Sequence, residues 1–234
     1  MIDCISVENM RQSDAMTIEK YVPSLELMYR AARGVYLAHD WEAPVAILAG
    51  SGNNGGDGFA LACILRERNI DCTVFILSSR LSEDSSFYAQ KAKNAGIAIQ
   101  SFEDGCLSGF ATVVDCLLGT GFQGSPREDY RRAIRAINDS RSFVVSVDIN
   151  SGMNGDTGEA EIAEKSDLTV TIGFMKKGLI TETAGNHLKR LVCADIGIHL
   201  AKEEYKICDG REWEEGKGYI LCPPWLDMEI INAC

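Results

Sequence analysis

The sequence predicts an α/β protein with a mostly parallel sheet covered by helices on both faces. Three observations carry this expectation. From Val45 onward, apolar runs of strand length alternate with helix-length patterns, as in sheets built from βα units. One run, Val45-Ala46-Ile47-Leu48-Ala49, leads into the glycine string Gly52-Asn53-Asn54-Gly55-Gly56-Asp57-Gly58 and then into a helical pattern. Two later runs each carry an aspartate followed by glycine and hydroxyl residues.

The elements follow in order. Residues 8–40 read as two helices. Met10 to Tyr21 is polar with spaced apolar positions. Pro23-Ser24 then starts a helix from Leu25 to His39 with Leu25, Leu27, Met28, Ala31, Val35 and Leu37 as its apolar residues. Strands are expected at Val45–Ala49, Cys72–Leu77, Ala98–Gln100, Thr112–Leu117, Phe143–Val147, Leu168–Ile172 and Leu191–Ala194. Helices are expected between them at Asp57–Arg68, Asp84–Asn94 and Glu128–Asn138. No internal repeat or low-complexity linker divides the chain, so residues 1–234 are expected to form one domain. The tail from Tyr205, with Pro223-Pro224-Trp225, is the least legible part.

Bulk properties narrow the function. The 234 residues suffice for one large α/β core. An apolar fraction of 46% and a charged fraction of 24% are those of an ordinary globular chain. The net charge of −11 lacks the basic footprint of a nucleic-acid binder. Nine cysteines occur without a CxxC or a paired Cys/His spacing, and several sit in or beside apolar runs. The start Met1-Ile2-Asp3-Cys4 has no basic or apolar leader region. No apolar run approaches the about 20 residues of a membrane span. The expectation is a reduced, cytoplasmic protein with small buried thiols and neither nucleic-acid nor membrane partners.

The string Gly50-Ser51-Gly52-Asn53-Asn54-Gly55 satisfies GxGxxG, and Asp71 lies about twenty residues on, as a dinucleotide fingerprint asks. Two details oppose that reading. The ribose-binding acid should close the second strand at the carboxyl edge of the sheet, whereas Asp71 precedes Cys72–Leu77. Asp57, in the expected first turn, would repel a pyrophosphate drawn to the helix dipole. A specialised ligand loop, a dinucleotide loop and a plain turn capped by Asp57 therefore all stand at this point.

Two further strand ends bear chemistry. Thr112-Val113-Val114-Asp115 runs through Cys116-Leu117-Leu118 into Gly119-Thr120-Gly121-Phe122-Gln123-Gly124-Ser125-Pro126-Arg127. Phe143 to Asp148 runs into Ile149-Asn150-Ser151-Gly152. Singly, Asp115 or Asp148 fits a capping role. In an open parallel sheet, however, ligands sit beyond the carboxyl ends of strands, so three such ends are expected to converge on one crevice.

These segments carry a family resemblance. Gly52–Gly58, Asp115–Gly121 and Val147–Gly152 with Asp156-Thr157-Gly158 are similar to motifs of the YjeF N-terminal domain. Thr169-Val170-Thr171-Ile172-Gly173-Phe174-Met175-Lys176-Lys177-Gly178-Leu179 and the opening Met10-Arg11-Gln12-Ser13-Asp14 also resemble that family. The five segments occur in the family's order across roughly residues 8–200. The resemblance implies a three-layer αβα Rossmann-like sandwich. It also implies epimerisation of the R and S forms of hydrated NADH and NADPH, NAD(P)HX, in nicotinamide nucleotide repair.

Roles follow position by position. Asn53, Asn54, Gly55, Gly56 and Asp57, together with Gly119, Thr120, Gly121, Phe122, Gln123, Gly124 and Ser125, match segments that hold the damaged nucleotide. Arg127 is the nearby cation for a phosphate, unless it pairs with Glu128 or Asp129. Asp148 matches the acidic residue at the reacting ring. Asn54, Asp115 and Ser151 match the family's potassium ligands, and such hard oxygen donors suit an alkali cation rather than a soft metal. The resemblance further implies a homodimer and functional partnership with a separate NAD(P)HX dehydratase, an enzyme to which the domain is fused in some members. The chain departs from the family at Tyr29 and Arg30, at Asn150 and Lys177 (both usually proline), and at Asn154-Gly155. Tyr29 and Arg30 are expected to reshape the pocket wall or a subunit contact.

In NAD(P)HX, water has added to the carbon beside the ring nitrogen. The nitrogen can expel the hydroxyl to leave an iminium-like cation, and re-addition on the other face inverts the centre. Asp148 could stabilise that cation and move the proton. His39, His187 and His199 all lie outside the motifs, so a histidine base is not expected. A non-catalytic nucleotide-binding or scaffold module and an NAD-dependent oxidoreductase are the competing readings.

Overall fold

The structure, a computed structural model, describes residues 2–208, 219–221, 223 and 225–234. Its strands are β1 (Ile2–Ile5), β2 (Val45–Ala49), β3 (Cys72–Ile76), β4 (Ala98–Ser101), β5 (Thr112–Cys116), β6 (Phe143–Val147), β7 (Ser166–Ile172), β8 (Met175–Lys176), β9 (Leu188–Asp195), β10 (Tyr205–Cys208), β11 (Tyr219–Leu221) and β12 (Asp227–Asn232). Its α-helices are α1 (Val7–Lys20), α2 (Ser24–Leu37), α3 (Asn53–Glu67), α4 (Glu83–Asn94) and α5 (Glu128–Asn138).

Eight strands form one sheet in the order β12-β9-β7-β6-β5-β2-β3-β4, and every neighbouring pair in it is parallel. Strands β2 and β5 are buried at every residue, which explains the unbroken apolar spelling of β2, whereas β5 also buries Thr112 and Asp115. Side chains alternate across the sheet. Val45, Ile47 and Ala49 join the core beneath α2, α3 and α4, whereas Ala46 and Leu48 join the core beneath α5. Helix α5 buries Tyr130, Ala133, Ile134 and Ile137, the spacing of one helical stripe. The result is the expected αβα sandwich, with α1 and α2 as its two N-terminal helices.

A second sheet, β11-β10-β1-β8, lies outside the sequence expectation. In it β1 runs antiparallel to β10 and parallel to β8. The illegible tail therefore supplies β10 and β11 here and β12 at the edge of the main sheet, beside β9. A third apolar cluster, including Cys4, Met175, Leu179, Leu191 and Ile207, joins the small sheet to the large one.

Helix α3 also starts earlier than expected. Gly52 is its N-cap, so Asn53 to Gly56 form the first turn and Asp57 stands one turn in, too far along to cap the helix. The cysteines of the described residues are all unpaired thiols. Burial pushes Cys4 up to about 12 and Cys72 up to about 11, so neither is a ready nucleophile. No helix among the described residues is long and apolar enough to cross a membrane.

Candidate active site

The carboxyl ends of the central strands open into a cavity of about 870 Å³, within the usual range for small-molecule sites. Asn53, Asn54 and Asp57 line it from α3, and Gly119, Thr120, Gly121, Phe122, Gln123, Ser125 and Arg127 from the segment after β5. Asp148 and Lys176 line it too, and α1 contributes Met10, Arg11 and Asp14. The three strand ends thus converge as expected. Gly55, Gly56 and Gly124 stand outside the lining, and so do Asp115 and Ser151, which lie fully buried behind it. A second cavity of about 890 Å³ opens near Pro44, Ala111 and Ser142, at the amino edge of the sheet, and holds none of these residues.

Two glycines of the loop are required by close packing. A Cβ on Gly55 would sit 2.1 Å from the Gly50 carbonyl oxygen, and one on Gly50 would sit 2.0 Å from that of Leu117. Neither residue has a positive φ. Their smallness lets α3 close against the loops after β2 and β5. No side chain caps α3, so its first-turn N–H groups lie at the crevice mouth, where an anion is favoured.

Asp148 is the most constrained residue of the site. It follows β6 with φ at 72°, an uncommon conformation for a residue with a side chain, and such strain gathers at functional sites. Its N–H donates to the Val170 carbonyl at 2.8 Å. Lys176 Nζ donates to its Oδ1 at 2.6 Å, and the Thr120 N–H donates to its Oδ2 at 3.1 Å. Lys176, fully buried, also donates to Thr171 Oγ1 at 3.1 Å and to the Ile172 carbonyl at 2.6 Å. The sequence reading assigned Lys176 no role. Its one signal was a lysine following an apolar strand inside a quoted motif.

Behind the crevice, Asp115 is fully buried. Ser151 Oγ donates to its Oδ1 at 2.7 Å and the Ser151 N–H to its Oδ2 at 2.9 Å. The Leu117 N–H donates to Oδ1 at 3.0 Å. Burial raises the Asp115 carboxyl, and the Ser151 hydroxyl chief among these donors opposes the shift. Asn54 Oδ1 and Nδ2 are buried without a hydrogen-bond partner, and no described cationic side chain pairs with Asp115. An orphaned amide oxygen and a buried carboxylate without a cationic partner fit an alkali cation. The structure brings Asp115 and Ser151 into contact but gives Asn54 no bond to either.

Asn150, the departure from proline, is the hub of a buried polar network. Its Nδ2 donates to Glu164 Oε2 at 2.8 Å and to Ser166 Oγ at 2.9 Å, and its Oδ1 accepts from Thr169 Oγ1 at 2.8 Å. Glu164 is fully buried. Burial and then the charge of Asp115 hold its carboxyl well above the ordinary range.

Other expectations resolve individually. Arg127 lies 3.6 Å from Asp129, over the Tyr130 ring, yet it still faces the cavity. Tyr29 and Arg30 stand outside the pocket wall, where Met28 and Ala31 serve instead. Arg30 pairs with Glu26 at 3.0 Å and reaches the Ile196 carbonyl. His39 stacks on Phe143 and His199 on Tyr21, and no histidine lines the cavity. Burial, then the charges of Asp148 and Asp14, hold the Asp57 carboxyl well above its ordinary range. Burial and then Asp148 also raise Asp14.

The chain is similar to several known proteins. An NAD(P)H-hydrate epimerase of Rhodopirellula baltica is 36% identical over 212 residues, which are 84% of this chain and 85% of that protein. One of Oenococcus oeni is 35% identical over 204 residues, 83% of this chain and 97% of that one. The bifunctional NAD(P)H-hydrate repair enzyme Nnr of Coxiella burnetii is 32% identical over 213 residues, but this chain spans only 44% of its length. The crystal structure of yeast ynu0 superposes with a TM-score of 0.69 at 21% identity, over 80% of this chain and 86% of that one, and shares the fold. Residues 24–178 match the family model described as YjeF-related protein N-terminus, and the chain belongs to that family.

Proposed function

We propose that the protein interconverts the R and S epimers of NAD(P)HX, the activity for which its R. baltica and O. oeni relatives are named. The observation that supports this most is the carboxylate of Asp148 at the crevice wall, held from two sides by Lys176 and the Thr120 N–H. The reaction passes through a planar ring cation, and a fixed, preorganised carboxylate stabilises such charge without reorganising. The first turn of α3 and Arg127 receive the nucleotide's phosphates, and α1 covers the crevice with Met10, Arg11 and Asp14.

Asn54, Asp115 and Ser151 would hold a potassium ion, which fits the partnerless Asn54 amide and the buried Asp115. When bound, it would supply a fixed positive charge that neutralises Asp115. A homodimer and a separate NAD(P)HX dehydratase complete the reading, supported by the family and, for the dehydratase, by the bifunctional relative. Its unpaired thiols favour a reducing, cytoplasmic setting.

The test is direct: incubate the protein with a mixture of NADHX epimers and follow each by chromatography. Equilibration well above the spontaneous rate is expected, and Asp148→Asn should slow it by about 10²–10³-fold. Because that variant also deprives buried Lys176 of its counter-charge, its fold must be verified separately by circular dichroism. Nucleotide binding without any epimerisation by the wild type would favour the scaffold reading instead.

A further inference from the structure

We infer that Asp57 is the proton-carrying acid of this site, distinct from the carboxylate of Asp148 that faces the ring cation. The inference rests on the epimerase reading and divides between two residues what one aspartate was expected to do. Both oxygens of Asp148 are engaged, one by Lys176 at 2.6 Å and one by the Thr120 N–H at 3.1 Å. A carboxylate tied to a buried ammonium is well placed to hold charge and poorly placed to trade protons. Asp57 lines the same cavity from the second turn of α3. Its side chain makes no hydrogen bond or ion pair with another described residue, and Asp57 lines the space the ligand would fill.

The charged residues that line the cavity with it are Arg11 and Asp14 on α1, Asp84 in α4, Arg127 before α5, Asp148 after β6 and Lys176 on β8. Burial together with the negative charges of Asp148 and Asp14 outweighs Lys176 and favours the protonated form of Asp57. One carboxylate with both oxygens held by donors and a second carboxyl without a donor divide the site between a fixed charge and a group free to carry a proton.

The step balances. Asp57 gives its proton to the leaving hydroxyl while the C–O bond breaks toward oxygen and the ring nitrogen's lone pair forms C=N. Water and a ring cation result, with Asp57 ionised. The planar ring turns about its glycosidic bond and presents its other face. Water then attacks the same carbon, the C=N pair returns to nitrogen, and the surplus proton returns to Asp57.

The experiment is a kcat and KM profile against pH for the wild type and for Asp57→Asn, Asp57→Glu and Asp14→Asn. Wild-type kcat is expected to fall as pH rises through the ionisation of Asp57. Asp57→Asn should lose about 10²–10⁴-fold in kcat with little change in KM and should lack the pH-dependent limb. Asp57→Glu should restore both in part, and Asp14→Asn should keep the limb. Should the asparagine variant not fold, Asp57→Ser carries the same comparison. A raised KM with kcat and pH profile intact would reduce Asp57 to a binding residue and overturn the inference. So would loss of the limb in Asp14→Asn. An inactive wild type would instead refute the epimerase reading itself.

Discussion

Replacing Lys176 with methionine tests the charge pairing at the core of the site. The lysine side chain is 1% exposed and its Asp148 partner 11%. Methionine keeps the length and most of the volume, so little cavity cost is added. What changes is charge: Asp148 keeps only the Thr120 N–H, and the Thr171 hydroxyl and Ile172 carbonyl lose a donor. Breaking a buried ion pair by removing one partner costs about 3–5 kcal/mol. For a chain of this length each 1 kcal/mol moves Tm by roughly 2–4 °C, so Tm should fall by on the order of 10 °C. Removing both charges, as Lys176→Met with Asp148→Asn, should recover roughly half of that loss, because no uncompensated charge stays buried. Urea unfolding of the four proteins in a double-mutant cycle reads the coupling directly. A single variant within about 1 kcal/mol of wild type, or a coupling below about 0.5 kcal/mol, would refute this account of the pair.

Two further perturbations probe the buried carboxyls. Glu164 is held protonated by burial and by Asp115, so the folded state binds a proton that the unfolded chain releases above its ordinary range. Stability should therefore fall as pH rises from about 4.5 through the folded-state ionisation. Glu164→Gln should remove that slope, its advantage over wild type growing with pH in chemical denaturation, and parallel curves would count against it. Asp115→Ala strips the acceptor from the Leu117 N–H, the Ser151 N–H and the Ser151 hydroxyl, at about 1–3 kcal/mol for each buried donor left unmade. Potassium should raise the wild-type melting temperature relative to tetramethylammonium and should not raise that of the variant. A wild type indifferent to the two cations would remove the cation site from the proposal.

The parts of the fold that were legible are those whose burial leaves a simple imprint. Strands β2 and β6 lie near the centre of a two-sided core, so their residues are apolar almost without interruption. Helix α5 shows one clear stripe. Strand β1, by contrast, is Ile-Asp-Cys-Ile, and β8 has two residues, Met175 and Lys176. Such pieces are strands only because they pair with each other and with β10. The start of α3 was misplaced because Gly55 and Gly56 read as a loop, when Gly55 is small for contact with Gly50 and Gly56 for contact with Met28. The strand-end aspartates were visible one by one. Their partners were not, since a lysine 28 residues beyond Asp148 and a glutamate 14 beyond Asn150 leave no local pattern.

The small sheet explains why this site needs more than a plain doubly wound core. Lys176 reaches Asp148 from β8, and β8 is held by β1, which in turn pairs with β10 near the far end of the chain. Glu204, just before β10, accepts from the Ser6 N–H and hydroxyl and pairs with Lys177. The Val7 N–H at the start of α1 donates to Asp156 at 2.7 Å, in the loop that follows Ser151. The ammonium that fixes Asp148 is therefore positioned by segments from both ends of the chain, of which β1, β10 and Glu204 do not themselves line the cavity. A buried charge tolerates little displacement, because at short range its energy depends steeply on distance and on the low surrounding dielectric. Anchoring Lys176 through a second sheet keeps that distance short while α1, whose inner face carries Arg11 and Asp14, lies across the opening.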